Sequence, residues 1–376
     1  MDIFFAVTAP GLEPFTALEL SRLFPDREPV PEPGGVTFRG SFADLMRANL
    51  HLRTASRVLA RLGMPFLARD FDELRQKAAR LPWERFLAPG QPVALRVTCH
   101  ESKLYHSDAV ARILTLALAD RLGQPSPLVK TDEESDQPPQ LIVVRLAEDR
   151  VTVSVDSSGT ILHKRGYRLA SAKAPLRETL AAGLLMASGW DLRSPLLDPF
   201  CGSGTIPIEA ALMALGIPPG INRRFAFMDW PGYEPSVFSK QYSVVSERLG
   251  SNNKPVILAS DRDAGAIEMA RQNAERAGVV QVIEFSQRAV SAIEPPPGPG
   301  WVVTNPPYGQ RVRGGRDLRD LYARFGDVLR AKCPAWQVAV LCSDLALLGQ
   351  MRLDLDTSLA LVNGGIRVMA GRGIVA

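Results

Sequence analysis

With 376 residues, 46% hydrophobic and 22% charged, the chain is too long for one ordinary domain and too apolar to be disordered. A formal net charge of +4 permits a nucleic-acid partner, but only through a local basic patch, and no run of apolar residues is long enough to span a membrane. The four cysteines and four histidines are scattered without disulfide or metal spacing.

The N-terminus, MDIFFAVTAPGLEPF, lacks the basic segment and long apolar core of a signal peptide, so a cytoplasmic location is expected. It reads as a strand at 3–8 and a helix at 13–23, with Pro14 in the first turn where its missing N–H costs nothing. A short strand follows at 36–39, and Ser41 is placed to cap a helix reaching residue 50. Residues 54–62 read as a strand, and Asp70 caps a helix to about residue 80. A strand at 93–98 and an amphipathic helix at 105–122 come next. Residues 141–146 and 151–155 form a hairpin around Glu148-Asp149. The acidic stretch TDEESDQPPQ, 131–140, reads as a solvated loop. The expectation is an α+β N-terminal region, with a segment at 1–60 and a domain at 61–165.

Residues 166–376 read as a separate α/β domain, because strands and helices alternate strictly from about residue 171. A helix runs to 187, then a strand at 195–198 and a helix at 205–215. An irregular segment, 217–254, interrupts before a strand at 256–260, a helix at 263–277 and a strand at 281–285. The loop PPPGPG leads to a strand at 301–304, a helix at 316–332, a strand at 337–342 and a short helix. Repeated βα units wind a parallel sheet covered on both faces. The last two strands meet around Asn363-Gly364-Gly365, and an Asn-Gly turn between them makes the pair antiparallel.

Three motifs in this half carry chemistry. In LLDPFCGSGT, 196–205, Asp198 ends a strand, Gly202 and Gly204 permit a tight turn, and a helix starts at Thr205. Glycines let a ligand approach the backbone, and helix N-terminal amides attract an anionic group. Asp198, Pro199, Phe200, Cys201, Gly202, Gly204 and Thr205 are therefore candidate cofactor-binding residues. The string is not G-x-G-x-x-G and has no Walker lysine, which disfavours NAD and ATP. In ILASDRDAGAIEMARQNAERAGV, 257–279, Asp261 ends the next strand, placed to accept the ribose hydroxyls of a nucleoside cofactor, with Arg262 beside it. Asp263 is assigned to the helix cap.

The third motif, VVTNPPYG at 302–309, is the strongest signal. Pro306 and Pro307 stiffen the backbone after the strand and remove two donors. The Asn305 side-chain oxygen and the Pro306 carbonyl can accept the protons of an exocyclic nucleobase amine and aim its lone pair. Tyr308 offers a face on which a flipped base can stack. Asn305, Pro306, Pro307 and Tyr308 are the candidate catalytic residues, and Asn305 also faces the cofactor.

Basic residues cluster in three places. Residues 305–319 hold Arg311, Arg313, Arg316 and Arg319 against one acid, Asp317, which suits phosphate contact or a solvated helix start. HKRGYR, with Lys164, Arg165 and Arg168, suits RNA contact or a linker equally. Within 217–254, Arg223, Arg224, Lys240, Arg248 and Lys254 stand beside Phe225, Phe227, Trp230, Tyr233, Phe238 and Tyr242. This interleaving suits a grip on unpaired RNA, or aromatics that pack the segment onto the catalytic domain.

Motif D-P-F-C-G-S-G-T closely resembles motif I of the S-adenosyl-L-methionine-dependent amino-methyltransferases, and a parallel sheet closed by a terminal hairpin is the Rossmann-like class I methyltransferase architecture. With APGLEPFTALEL, GGVTFRG, LHLRTASRVL, LHKRGYR, APLRETLAAGLL and GIPPGINRRFAF, nearly the whole chain resembles the THUMP-domain RNA guanine-N2 methyltransferases of the RlmL type. That resemblance implies a ferredoxin-like segment, a THUMP RNA-binding domain, an S-adenosylmethionine cofactor without a metal, and N2 methylation of guanosine in large-subunit rRNA. RNA is the implied partner, with no membrane and no obligate protein partner. A tRNA guanine-N2 methyltransferase, an adenine-N6 DNA methyltransferase, a protein glutamine methyltransferase and a non-catalytic RNA-binding protein are the rival readings. One departure stands out: where the family usually has an aspartate contacting the cofactor adenine, this chain has Ala289, with Gln287 or a backbone carbonyl as possible substitutes.

Overall fold

The computed structural model describes residues 1–130, 138–168, 176–239, 255–308 and 315–376. Most of the acidic stretch, the junction 169–175, residues 240–254 and residues 309–314, including Arg311 and Arg313, lie outside the described residues.

The N-terminal region is one sheet with helices. Its strands are β1 Asp2–Thr8, β2 Val30–Glu32, β3 Gly35–Gly40, β4 Ala55–Arg61, β5 Phe66–Leu67, β6 Val93–His100, β7 Gln140–Ala147 and β8 Arg150–Asp156. They run in the order β2-β3-β1-β4-β8-β7-β6, with β5 paired to β8. Alternate residues of β1, Phe4 and Ala6, face the core, as period two requires. The helices are α1 Glu13–Leu23, α2 Phe42–His51, α3 Phe71–Ala79 and α4 Ser107–Leu122. Ser41 caps α2 as expected, and Asp44 returns the bond by accepting from the Ser41 N–H at 2.8 Å. Such a box is worth about 1 kcal/mol. Asp70 caps α3 through the Glu73 N–H. The β7–β8 turn places Glu148 and Asp149 at φ of 53° and 61°, the left-handed pair that a two-residue hairpin needs. Strands β2 and β5 are absent from the sequence reading because two or three residues carry no periodicity.

Antiparallel pairing of β4 with β8, Leu59 opposite Asp156 and Arg61 opposite Ser154, makes residues 1–60 and 61–165 two halves of one sheet. They also share one hydrophobic cluster, with Met46 and Leu50 from one half and Trp83 and Leu114 from the other.

The second sheet contains β9 Leu196–Asp198, β10 Ile257–Asp261, β11 Ile283–Gln287, β12 Trp301–Thr304, β13 Gln337–Cys342, β14 Asp356–Asn363 and β15 Ile366–Ile374, in the order β11-β10-β9-β12-β13-β15-β14. The first five strands are parallel and the last pair antiparallel. Its helices are α5 Glu178–Ala187, α6 Thr205–Ala214, α7 Ala264–Arg276, α8 Gly315–Lys332 and α9 Leu345–Gln350. Strand β11 starts two residues later than expected, because Val280–Val282 form a 3-10 turn first. The terminal turn is Gly364-Gly365, both at positive φ, and not Asn-Gly. Asn363 stays in the ladder opposite Ile366, and its side chain is used elsewhere.

The two regions interlock. Leu12 belongs to the catalytic core, while Phe225, Phe227, Trp230 and Phe238 belong to the N-terminal core. The Trp230 ring lies 4.7 Å from Phe86, edge to face, and 5.8 Å from Phe42, stacked. Its indole N–H donates to Gln140 Oε1 at 2.8 Å. In return, Arg53 Nη2 donates to the Leu212 and Ile217 carbonyls at the C-terminal end of α6. The segment beginning at 217 is thus a clasp that packs into the N-terminal side of the junction. Its buried rings cannot stack on RNA, and they pack on the N-terminal region, not on the catalytic domain.

Candidate active site

The strand order reverses between β9 and β12, and ligands of parallel sheets bind at such a switch, beyond the strands' C-terminal ends. A cavity of about 690 Å³ lies there. It is lined by Pro199, Phe200 and Gly202 after β9, Asp261, Arg262 and Asp263 after β10, Ala289 to Ser291 after β11, and Asn305 to Tyr308 after β12. One face of α8, Leu318, Leu321 and Arg324 with Asp320, closes it.

The turn after β9 depends on two glycines. Gly202 has φ of 50°, and a Cβ there would meet nothing within 4 Å, so its face is open to a ligand. Gly204 has φ of 85° and packs tightly: a Cβ would lie 3.0 Å from that of Ala270 on α7. Asp198, Cys201, Gly204 and Thr205 do not line the cavity, because they are turned into the protein. Asp198 Oδ1 accepts from the Thr304 hydroxyl at 2.6 Å and from the Phe200 N–H at 3.2 Å. Burial drives this carboxyl up to about 7, against the two hydrogen bonds, with the Asp261 charge adding to the rise. Thr205 is held by Arg168 Nη2.

Asp261 Oδ2 accepts from the Gly202 N–H at 3.1 Å and Oδ1 from the Asp263 N–H at 3.0 Å. Each oxygen keeps acceptor capacity for ribose hydroxyls. Asp263 caps α7 through the Gly265 N–H. Ala289 stands on the wall where the missing adenine contact was expected, whereas the Gln287 amide is turned to the Arg262 carbonyl.

Asn305 carries the most informative atom. Its Oδ1 is buried, its residue lines the switch-point cavity, and among the described residues it has no hydrogen-bond partner. Leaving a buried acceptor unpaired costs about 1–3 kcal/mol, which leaves Oδ1 available to a donor carried by a ligand. Pro306 and Pro307 follow without N–H groups to compete, and the Tyr322 hydroxyl faces the Pro307 carbonyl at 3.4 Å. Tyr308 differs from expectation: it is 3% exposed, and its hydroxyl accepts from Asn363 Nδ2 at 3.3 Å. It is a wall anchored to the terminal hairpin, offering little open face for stacking. The α8 residues were missed because an amphipathic helix reads as core packing. Their i, i+3 spacing after NPPY was the available signal.

The arginines expected to touch RNA are mostly structural. Arg165 is 5% exposed, donates to the Leu162 and Arg53 carbonyls, and lies 3.6 Å from Glu209. Arg168 bridges Glu178, the Leu176 carbonyl and Thr205. Arg223 donates to the carbonyls of Thr160, Ile161 and Lys164. Lys164 and Arg224 are exposed, the latter paired with Asp229. The Arg316 side chain lies outside the described residues.

A sheet of this order, with a glycine turn after β9, an acid at the end of β10 and an open Gly202 face beside Asp261, defines a class I, S-adenosylmethionine-dependent methyltransferase. Residues 165–369 match the RMKL-like methyltransferase domain, 3–59 the RlmL ferredoxin-like domain and 68–156 the THUMP domain. The chain belongs to this RMKL-like family. YpsC of Bacillus subtilis (strain 168), provisionally described as an RNA methyltransferase, is 35% identical over 338 residues, covering 90% of this chain and 87% of its own. The ribosomal RNA large subunit methyltransferase K/L of Shewanella baltica (strain OS185) is 32% identical over 375 residues, and this chain spans 52% of its length. The crystal structure of SMU.472 with S-adenosylhomocysteine has a TM-score of 0.87 at 29% identity, covering 99% of this chain and 97% of the other.

Proposed function

We propose that the protein methylates the exocyclic N2 amino group of a guanosine in RNA, with large-subunit rRNA as the substrate. The observation that carries this reading is the buried, unpartnered Asn305 Oδ1 at the switch point. When bound, S-adenosylmethionine supplies an electrophilic methyl group. The amine lone pair is delocalised into the base, so the protein must localise and aim it. Asn305 Oδ1 and the Pro306 carbonyl accept the two amine protons and leave the lone pair out of the ring plane. Asp261 holds the ribose, Gly202 admits the cofactor to the backbone, and Pro199 and Phe200 form an apolar wall that excludes water.

Asp320 on the cavity wall supports guanine over adenine. A carboxylate accepts the guanine N1–H beside N2, whereas adenine presents a lone pair at N1 that it repels. The THUMP match and the name of the K/L relative support an rRNA substrate. Phe225, Phe227, Trp230 and Phe238 of the clasp lend that choice nothing, since they are buried.

The test is mass mapping of modified nucleosides in rRNA and tRNA from a deletion strain, complemented with the wild type or with Asn305→Ala. The expected result is loss of one N2-methylguanosine from large-subunit rRNA, restored by the wild type alone. Restoration of N2-methylguanosine only in tRNA overturns the rRNA assignment. A methyladenosine product overturns guanine.

A further inference from the structure

A second cavity, about 590 Å³, opens at the junction of the two regions, away from the switch point. Its walls come from the segment 160–168, from Glu178 on α5 and from 222–224. Five of its side chains are Lys or Arg and one is a carboxylate. Arg165 and Arg168 are offset by Glu209 and Glu178 at 3.6 and 3.4 Å. Arg223 has no carboxylate within ion-pair distance among the described residues; it is held by three backbone carbonyls and lies over the Phe225 ring. The side chain of Arg165 is 2% exposed, and the Nε atoms of Arg165, Arg168 and Arg223 are buried without hydrogen-bond partners among the described residues. These guanidinium groups cannot swing to water, so their positive field is fixed in the cavity wall. His163, in the same wall, is pushed down to about 3 by burial and then by Arg177, Arg165, Arg168 and Lys164. Only the part of this fall that comes from the four neighbouring cations, and not the part that comes from burial, favours an anion.

We propose that this cavity holds one backbone phosphate of the RNA substrate. The inference rests on the RNA reading above and adds the place where the strand is gripped. The buried arginines supply the field, and Lys164, Asn222 and Arg224 at the rim add exposed polar side chains. The Arg224–Asp229 pair is surface-exposed and therefore weak, so Arg224 exchanges its partner at little cost. A mouth made of exposed residues suits an anion carried on a polymer better than an enclosed small ligand. The position also fits: Arg168 reaches from this cavity to Thr205, the first residue of α6 after the glycine turn. A phosphate here lies at a fixed offset from the base pocket.

The experiment measures binding of the full chain to protein-free large-subunit rRNA across a salt series, for the wild type and for the Lys164→Ala, Arg224→Ala double variant. Both residues are on the surface, and S-adenosylmethionine affinity serves as the folding control. The expected result is a loss of RNA affinity of about ten-fold or more at low salt, with the slope of log affinity against log salt shallower by about 1–2. Unchanged affinity and slope in a variant that binds cofactor normally overturn the proposal. A parallel arm titrates inorganic phosphate. If phosphate raises the melting temperature through these residues while RNA binding ignores them, the site takes a free anion and the proposal falls. Guanine-N2 methylation is read separately, so RNA binding that depends on this cavity without N2-methylguanosine formation supports the proposal while removing the proposed activity.

Discussion

The Thr304 hydroxyl donates to the buried Asp198 carboxylate at 2.6 Å and ties the end of β12 to the end of β9, where the strand order reverses. Two of the loops that line the site, 199–204 and 305–308, leave from this bond. Asp198 positions the site without touching its cavity.

This bond makes stability depend on pH in a defined direction. Burial pushes the Asp198 carboxyl up to about 7 in the folded chain, against 3.8 for an ordinary solvated aspartate. Below pH 4 both states are protonated and burial carries no ionisation cost. As pH rises toward 7, the unfolded chain releases a proton that the folded chain keeps, and stability falls by about 1.4 kcal/mol per pH unit. Asp198→Asn removes this contribution, so its melting temperature relative to wild type rises between pH 4 and 7. Parallel melting curves across that range would exclude Asp198 as the titrating group.

Asn305→Ala removes the orphaned acceptor. The methyl-transfer rate is expected to fall by about 100- to 1,000-fold, the size of losing one positioned polar group at the reacting atoms. S-adenosylmethionine affinity, measured by calorimetry, changes less than about two-fold, because ribose contact is assigned to Asp261. A variant with full activity would remove Asn305 from the chemistry.

For the cofactor side, Asp261→Ala is expected to weaken S-adenosylmethionine binding by about 1.5–3 kcal/mol, the range for hydrogen bonds to a charged group. Ala289→Asp places a new acceptor on the wall after β11 and is expected to tighten binding. Calorimetric titration that leaves both variants at the wild-type constant would displace the cofactor from this wall.

Trp230→Ala opens a cavity between the clasp and the N-terminal core, at a cost of about 3–5 kcal/mol. Trp230→Phe keeps most of the ring and loses the bond to Gln140, a cost of about 1 kcal/mol. The melting temperature should follow that order, and RNA affinity of the folded Phe variant should equal wild type. A Phe variant with wild-type stability and weakened RNA binding would return Trp230 to the RNA surface.

Much of the site was legible because its chemistry is local. Asn305, Pro306 and Pro307 are contiguous, and their missing donors are a property of residue type. Gly202 and Gly204 announce a turn that other residues resist, and Asp263 caps α7 by a rule confined to one helical turn. The same locality made the caps of α2 and α3 and the β7–β8 turn readable. Errors arose where a residue's role depends on partners distant in sequence. Trp230 and Gln140 are 90 positions apart, Arg223 and Ile161 are 62, and Tyr308 and Asn363 are 55.

Composition, turn chemistry and apolar periodicity by themselves determined the two-part α+β and α/β organisation, the glycine turn and the donor-poor NPPY segment after β12, since each is encoded within a few consecutive residues. Only the tertiary structure decided that the strands of residues 1–165 share one sheet, that Asp198 and Tyr308 face inward, and that Arg165, Arg168 and Arg223 are bonded to protein partners. Whether a charged or aromatic side chain meets water or protein is set by what packs over it. That covering comes from segments far apart in the chain, whose meeting no local pattern records.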